Sequence, residues 1–200
     1  MPKLGMEPIR RTALVEATIH EIGVRGSLDV TVSQIARRAG MSSALAHHYF
    51  GSKEAIFAAA MRHILTLYGT EVRGALVMAK TPRDRIEAIL RASFAPRQFR
   101  PEIVSAWLNF YVQAQTSADA ARLLHVYQKR LRSNLRHALR QVAPNETATL
   151  TRGLAAMIDG LYLRQALGRD GIAPQAAIDV LLHYLDTALG RVPGTKDVKR

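Results

Sequence analysis

Apolar residues recur every three or four positions along most of the chain, and nowhere do they alternate with polar ones as in a half-buried strand. That period predicts helices, and the punctuation between them is sharp. Val15, Thr18, Ile19 and Ile22 line one face of a first helix that opens near Pro8 and stops at Gly26. Thr31 and Gln34 have the spacing of a capping box, with Ile35, Ala36 and Ala39 behind them, and Gly40 ends this short second helix. Ser42 or Ser43 caps a third, which reaches Tyr49 or Phe50. Ser52 caps a long fourth helix from 53 to about 79, and Thr81-Pro82 opens a fifth that runs to about 94. The break "APRQFRP" separates it from a sixth at 101–118. Ser117 caps a highly charged seventh that ends near 142. "APNET" is a loop, 147–167 an eighth helix apolar on most sides, "GRDGIAP" a break, and 173–189 a ninth helix. The expectation is an all-α chain of about nine helices without internal repeats. Short, tightly punctuated helices occupy the first part (1–65) and longer ones the second (66–190), and 191–200 reads as a flexible basic tail.

Composition narrows the possible partners. The 200 residues are 48% hydrophobic, enough for a packed core, with a net charge of +12 and a pI near 10.7. An anionic partner is favoured, nucleic acid before a membrane surface. There is no cysteine, which excludes disulfides and thiolate metal sites. "MPKLGMEPIRR" has no apolar signal-peptide core and no apolar run approaches the ~20 residues of a membrane span, so a cytoplasmic protein is expected. The charge is uneven. Residues 1–63 carry eight Lys or Arg against five Asp or Glu, and the excess lies beyond them. Lys129, Arg132, Arg136 and Arg140 form a stripe at i, i+3, i+7 and i+11. It is either a second nucleic-acid surface or a solvated face whose alkyl stems cover apolar neighbours.

The stretch "MSSALAHHYFGSKEAIF", 41–57, is where chemistry concentrates. His47 and His48 are helical neighbours pointing about 100° apart, a poor arrangement for one metal ion. His20-Glu21 begins like a zinc-protease box, but Val24 occupies the second histidine position. No Gly-x-Ser-x-Gly, cysteine or Gly-rich phosphate loop is present, so neither a catalytic residue, a metal nor a cofactor is expected. A helix-turn-helix accounts for more. Ala36 and Gly40, four apart, suit two helices crossing closely at a turn, with Met41 at the corner. The second helix would enter a major groove, with His47, His48 and Tyr49 offering ring nitrogens and a hydroxyl. Lys53 begins the next helix, where free amides and the macrodipole attract phosphate.

"TVSQIARRAGMSSALAHHYFGSKEAIF", 31–57, closely resembles the helix-turn-helix segment of the TetR family of bacterial repressors. The resemblance implies that Thr31, Ser42, Ser43, Ala44, His47, His48, Tyr49 and Lys53 face double-stranded operator DNA. Ala44, Ala46 and His47 depart from the family's usual Gly, larger aliphatic and Tyr. "MPKLGMEPIRR" and "RGLAAMIDGLYLRQAL" are similar to a choline-responsive branch of that family, which controls choline uptake and glycine betaine synthesis. A homodimer built on the last two long helices is implied. Leu154, Ile158, Leu161, Tyr162, Ile178, Leu181, Leu182 and Leu185 are the pairing candidates, against simple burial within one subunit. A quaternary ammonium favours aromatic faces and diffuse negative charge. Trp107, Phe110 and Tyr111 share one helix face and Asp159 interrupts an apolar helix, so these four are the ligand candidates, core packing being the alternative for the aromatics and pairing with an arginine such as Arg164, or with solvent, the alternative for Asp159. Two rivals remain at this point. One is a TetR-like regulator of another small molecule. The other is a basic helical scaffold binding nucleic acid or membrane without sequence preference.

Overall fold

A computed structural model of the chain describes residues 5–168 and 171–190; the expected tail at 191–200 lies outside the described residues. Among those described there are nine α-helices and no strand. They are α1 (Met6–Arg25), α2 (Val32–Arg38), α3 (Ser43–Phe50), α4 (Lys53–Met78), α5 (Pro82–Ser93), α6 (Pro101–Gln113), α7 (Ala118–Val142), α8 (Thr147–Leu167) and α9 (Pro174–Ala188).

The ends are set by the local chemistry that the sequence displays. Gly26, at φ 66°, returns its amide to the Ile22 carbonyl and stops α1. Thr31 and Gln34 cap α2 reciprocally, and Thr81 and Asp84 do the same for α5. Ser42, Ser52 and Ser117 each accept the backbone amide three residues on, opening α3, α4 and α7. One boundary differs clearly from expectation: α6 stops at Gln113 instead of continuing to 118. No breaker residue lies there. A cap must stand in a non-helical conformation, so Ser117 can start α7 only if α6 has already ended; turns 113–117 supply the gap, with the Ser117 amide on the Gln113 carbonyl.

The chain forms two compact units. The first holds the chain up to Leu67 together with Arg100–Val126, and the second Tyr68–Phe99 with the chain from Tyr127 onward. The first is therefore larger than the 65-residue head expected from punctuation, because α6 packs along α1. That contact is close: Gly23 lies where a Cβ would stand 2.7 Å from the Glu102 Cα, and Asn109 Nδ2 donates to the Gly26 carbonyl at 3.1 Å. Leu14, Ile35, Ile56, Ile64 and Phe110 fill this unit's core, each contributing roughly 2 kcal/mol of burial.

In the second unit α9 packs on α5 and α8, and Arg83 of α5 binds Asp186 of α9 at 2.8 Å. Here the pairing candidates need correction. Leu154, Ile158, Leu161, Ile178, Leu181 and Leu185 are all buried within the single chain. A second copy could reach them only by opening the subunit. Leu182 and Tyr162 are half-buried. The large apolar residues these two helices leave exposed are Leu163 (47%), Leu167 (68%) and Val180 (46%), on other faces.

Candidate functional site

Two arrangements of side chains stand out, one in each unit. The first is the outer surface of α3. At the end of α2, Gly40 adopts φ 68° and the Met41 amide donates to the Ala36 carbonyl at 2.8 Å. Ala36 is fully buried, so the two helices cross where there is almost no side-chain bulk. Ser33 Oγ and Ser43 Oγ, 2.9 Å apart, tie α2 to α3. On α3 itself Ala46 has no exposed surface. Helical geometry then puts Ala44 and His48 on the opposite face with His47 beside them, all three exposed; Ser43, one turn before Ala46, lies toward α2 and is half-buried, so it does not share the outer face expected of it. The face is low at its start and carries two rings at its end. His47 Nδ1 lies 3.2 Å from the Gly51 carbonyl, which can only accept, so Nδ1 carries a proton and Nε2 points the ring's remaining capacity outward. The rings of His48 and Tyr49 pack 5.5 Å apart.

The other expected contacts surround this face. Thr31 and Ser42 are exposed at the starts of α2 and α3, but their hydroxyls already serve as caps, and Thr31 also donates to Gln34 Oε1 at 3.0 Å. Lys53 is half-buried, its ammonium 5.4 Å from the Phe57 ring. Its helix start is less open than the sequence implies. Ser52 Oγ accepts the Ala55 amide, and Glu54 is held below the usual carboxylate range by its own backbone amide, by Ser52 and by Lys53. Attraction for a phosphate at this corner therefore rests on the Lys53 charge more than on free amides. Sequence reasoning missed Arg10 and Arg11. Arg10 donates to the Tyr49 hydroxyl at 3.4 Å, and the Arg11 guanidinium stands 5.7 Å from the Tyr49 ring and 5.0 Å from that of Phe50. Two cations thus reach the end of α3 from a helix 39 positions earlier.

The second arrangement lies within the C-terminal unit. Phe94, Phe99 and Tyr162 form a triangle of rings with centroids 5.1 to 5.5 Å apart, two of the three contacts edge-to-face. Tyr162 donates to the Ser93 carbonyl at 2.5 Å. Ser93 Oγ gives its only proton to the Ile89 carbonyl, so the Tyr68 hydroxyl, 3.1 Å away, donates to it. Tyr127 meets the Tyr68 ring at 5.8 Å. Two carboxylates act on this group. Burial pushes Tyr68 up to about 12, the Ser93 bond opposing it and Asp159 and Glu71 adding to it. Tyr162 is pushed up as well, by burial first and then by Tyr68, Glu71 and Asp159. Buried Gln98 Nε2 stands 3.5 Å from a Glu71 oxygen.

Of the four expected ligand residues only Asp159 belongs to this group. Trp107 and Phe110 are buried in the first unit, and Tyr111, half-buried, packs on Trp107 at 5.8 Å. The structure thus assigns Trp107, Phe110 and Tyr111 to a different unit from Asp159, and the first two to its core. The one signal that could have pointed to the other rings is "SFAPRQF", where two phenylalanines flank a proline break beside a buried glutamine. Among the described residues no group of three or more His, Asp or Glu is placed to hold a metal ion, and no helix is long and apolar enough to cross a membrane.

Residues 14–60 match the family model described as bacterial regulatory proteins, tetR family, and residues 82–190 that of the BetI-type transcriptional repressor, C-terminal. The chain is 53% identical over 190 residues to the HTH-type transcriptional regulator BetI of Brucella anthropi, covering 94% of this chain and 98% of that one. The chain belongs to the TetR family. It is a transcriptional repressor of BetI type, and its relatives are named as regulators of transcription. Solved TetR-like structures share the fold. A transcriptional regulator of Pseudomonas aeruginosa superposes with a TM-score of 0.79 at 26% identity over 94% of this chain and 93% of its own. One from Saccharomonospora viridis, in complex with choline, superposes with 0.76 at 22% identity over 88% of this chain and 95% of its own. TetR-family regulators bind operator DNA and small-molecule effectors; on this BetI-type chain the α3 face and the aromatic cluster are the candidate places for each.

Proposed function

We propose that this repressor reads its operator with the outer face of α3, as a homodimer, and that its effector is choline. The observation that carries the DNA reading is the division of α3. Ala46 is sealed inward while Ala44, His47 and His48 face out. Small side chains at the helix start let the backbone approach the groove, and the two rings reach base edges. With Nδ1 held by Gly51, a neutral His47 offers Nε2 as an acceptor, suited to the exocyclic amine of cytosine or adenine. Tyr49, Arg10, Arg11 and Lys53 would meet phosphates on either side, with Thr31 and Ser42 at the helix starts. The functional division is then a reading head in the first 65 residues and a sensing and pairing part at 66–190.

Choline presents a quaternary ammonium with no hydrogen to donate, so recognition must come from ring faces and nearby negative charge. Tyr68, Phe94, Phe99 and Tyr162 supply rings, and Glu71 and Asp159 supply charge. That a regulator of the same fold is known in complex with choline supports this reading. Tyr68 and Glu71 stand on α4, the helix that begins at Lys53. A cation drawn to them acts on that helix directly. Two reading helices must stand about 34–36 Å apart to enter successive major grooves, and a ligand that prefers another separation shifts the population off DNA. The regulated genes would be those of choline uptake and glycine betaine synthesis, and the protein would act in the cytoplasm.

Footprinting on DNA upstream of its own gene, with and without choline, tests this. Protection of a near-palindrome that choline weakens is expected. In calorimetry choline should bind the wild type and bind Glu71→Gln and Tyr162→Ala at least about tenfold less well, while both variants hold the operator when choline is absent. Protection indifferent to choline, with no choline heat, would leave a TetR-type repressor of some other ligand. Equal protection of random DNA would instead favour a scaffold without sequence preference.

A further inference from the structure

The basic stripe of α7 is absorbed neither by DNA reading nor by ligand sensing. Within the C-terminal unit α7 and α8 flank an open cleft of about 550 Å³. Lys129, Arg132, Arg136, His137 and Arg140 line one wall and Arg152 the other. No carboxylate lines it. Among the described residues none of these five Lys and Arg side chains forms an ion pair, whereas Arg11, Arg38, Arg83, Arg91 and Arg122 all do. Ala148 and Thr151 of α8 also line the cleft and are small, which leaves the space between the cations open. A merely solvated stripe needs neither a second wall nor unpaired cations converging on one volume.

We propose that this cleft binds a small molecule bearing two or more phosphate groups. Guanidinium groups match phosphate oxygens with parallel hydrogen bonds, which a carboxylate-free cleft leaves them free to make. The four stripe residues span 11 positions, about 16 Å of helix, so several phosphates can be met at once. A concave volume of this size suits a molecule of nucleotide or polyphosphate dimensions. The backbone of duplex DNA is a convex rod that would lie on the stripe without filling the cleft.

The test is calorimetric titration of the full chain with inorganic tripolyphosphate at constant ionic strength, with orthophosphate and a random-sequence duplex as comparisons. Expected is saturable binding of one tripolyphosphate per chain, far tighter than orthophosphate. Arg136→Gln and Arg152→Gln, both at exposed positions, should each weaken it at least about tenfold. Ala148→Phe, which fills the cleft without changing charge, should abolish it, and Arg122→Gln should leave it unchanged. Circular dichroism confirms that each variant is folded. No saturable binding, or equal affinity in Arg136→Gln, Arg152→Gln and Ala148→Phe, overturns the proposal. Binding of the duplex that falls in the arginine variants while tripolyphosphate binding does not would assign the stripe to DNA. The choline experiment is independent of either result.

Discussion

Gly23 offers a quantitative test of how the N-terminal unit is held. It lies inside α1, where replacing glycine by alanine normally stabilises a helix by ~0.5–1 kcal/mol. At this position the new Cβ would stand 2.5 to 2.7 Å from Cγ, Cβ and Cα of Glu102. The Glu102 side chain can turn away, but its Cα is backbone of α6, so the two helices must separate. Overpacking of this kind costs ~1–3 kcal/mol, and the net expectation for Gly23→Ala is a loss of about 1–2 kcal/mol. Gly74→Ala is the matched control, since Gly74 is exposed within α4 with nothing within 4 Å of its would-be Cβ. It should gain up to ~1 kcal/mol. The chain's single tryptophan, Trp107, is buried on α6 in the same unit as Gly23, so its fluorescence in a urea titration reports on the contact directly. With a slope of ~2 kcal/mol/M, the Gly23→Ala midpoint should fall by roughly 0.5–1 M. A midpoint equal to or above wild type would refute the close approach of α1 and α6.

Lys53→Ala should weaken binding to all DNA sequences alike and reduce the salt slope by about one, whereas His47→Ala should cost ~1–3 kcal/mol on the operator alone; fluorescence anisotropy at several salt concentrations separates the two. Leu163→Asp should yield folded monomers by sedimentation, because Leu163 is exposed, while Leu154→Asp should unfold the C-terminal unit, because Leu154 is wholly buried. A folded Leu163→Asp dimer would move the pairing surface elsewhere. Tyr68 binds its proton more tightly folded than unfolded, so its contribution is intact below pH 10 and is lost as pH rises towards about 12. Tyr68→Phe should therefore flatten the fall in stability across that range, by up to roughly 3 kcal/mol in urea titrations, and an unchanged profile would contradict the burial of its hydroxyl.

What was legible in the sequence is what local chemistry decides. Thr31 with Gln34, Ser42, Ser52, Thr81, Ser117, Gly26 and Gly40 each act on backbone within a turn of themselves, and each marks the boundary it announces. The end of α6 is not legible because Ala114, Gln115 and Thr116 contain no breaker; the stop is imposed from beyond it, by the cap of α7. Contacts between distant segments were not legible. Arg10 meets Tyr49 across 39 positions. The aromatic cluster draws on α4, α8 and the segment after α5, none of which carries an aromatic i, i+3, i+4 pattern as α6 does. That pattern on α6 turned out to belong mostly to a core. The apolar face of α8 and α9 was visible for the same periodic reason, but periodicity says that a face is buried and not against what.

The uneven charge bears on how such a repressor can be released. The first 63 residues carry a net charge of only +3, and several of their cations are already engaged: Arg38 with Glu21, Arg11 with Glu7 and the rings of Tyr49 and Phe50. One reading head therefore neutralises few phosphates, and each phosphate contact contributes about one unit of salt slope. A single head should hold DNA weakly. Operator affinity in the proposed dimer then arises chiefly from the second head binding as an intramolecular event, at the effective concentration set by the first. That gain depends on the separation of the heads and vanishes when both cannot engage together. An effector need not damage either reading surface. A differential affinity worth ~1–3 kcal/mol for a state with the wrong separation is enough to forfeit most of the avidity, and the small charge of each head is what makes so modest a coupling sufficient.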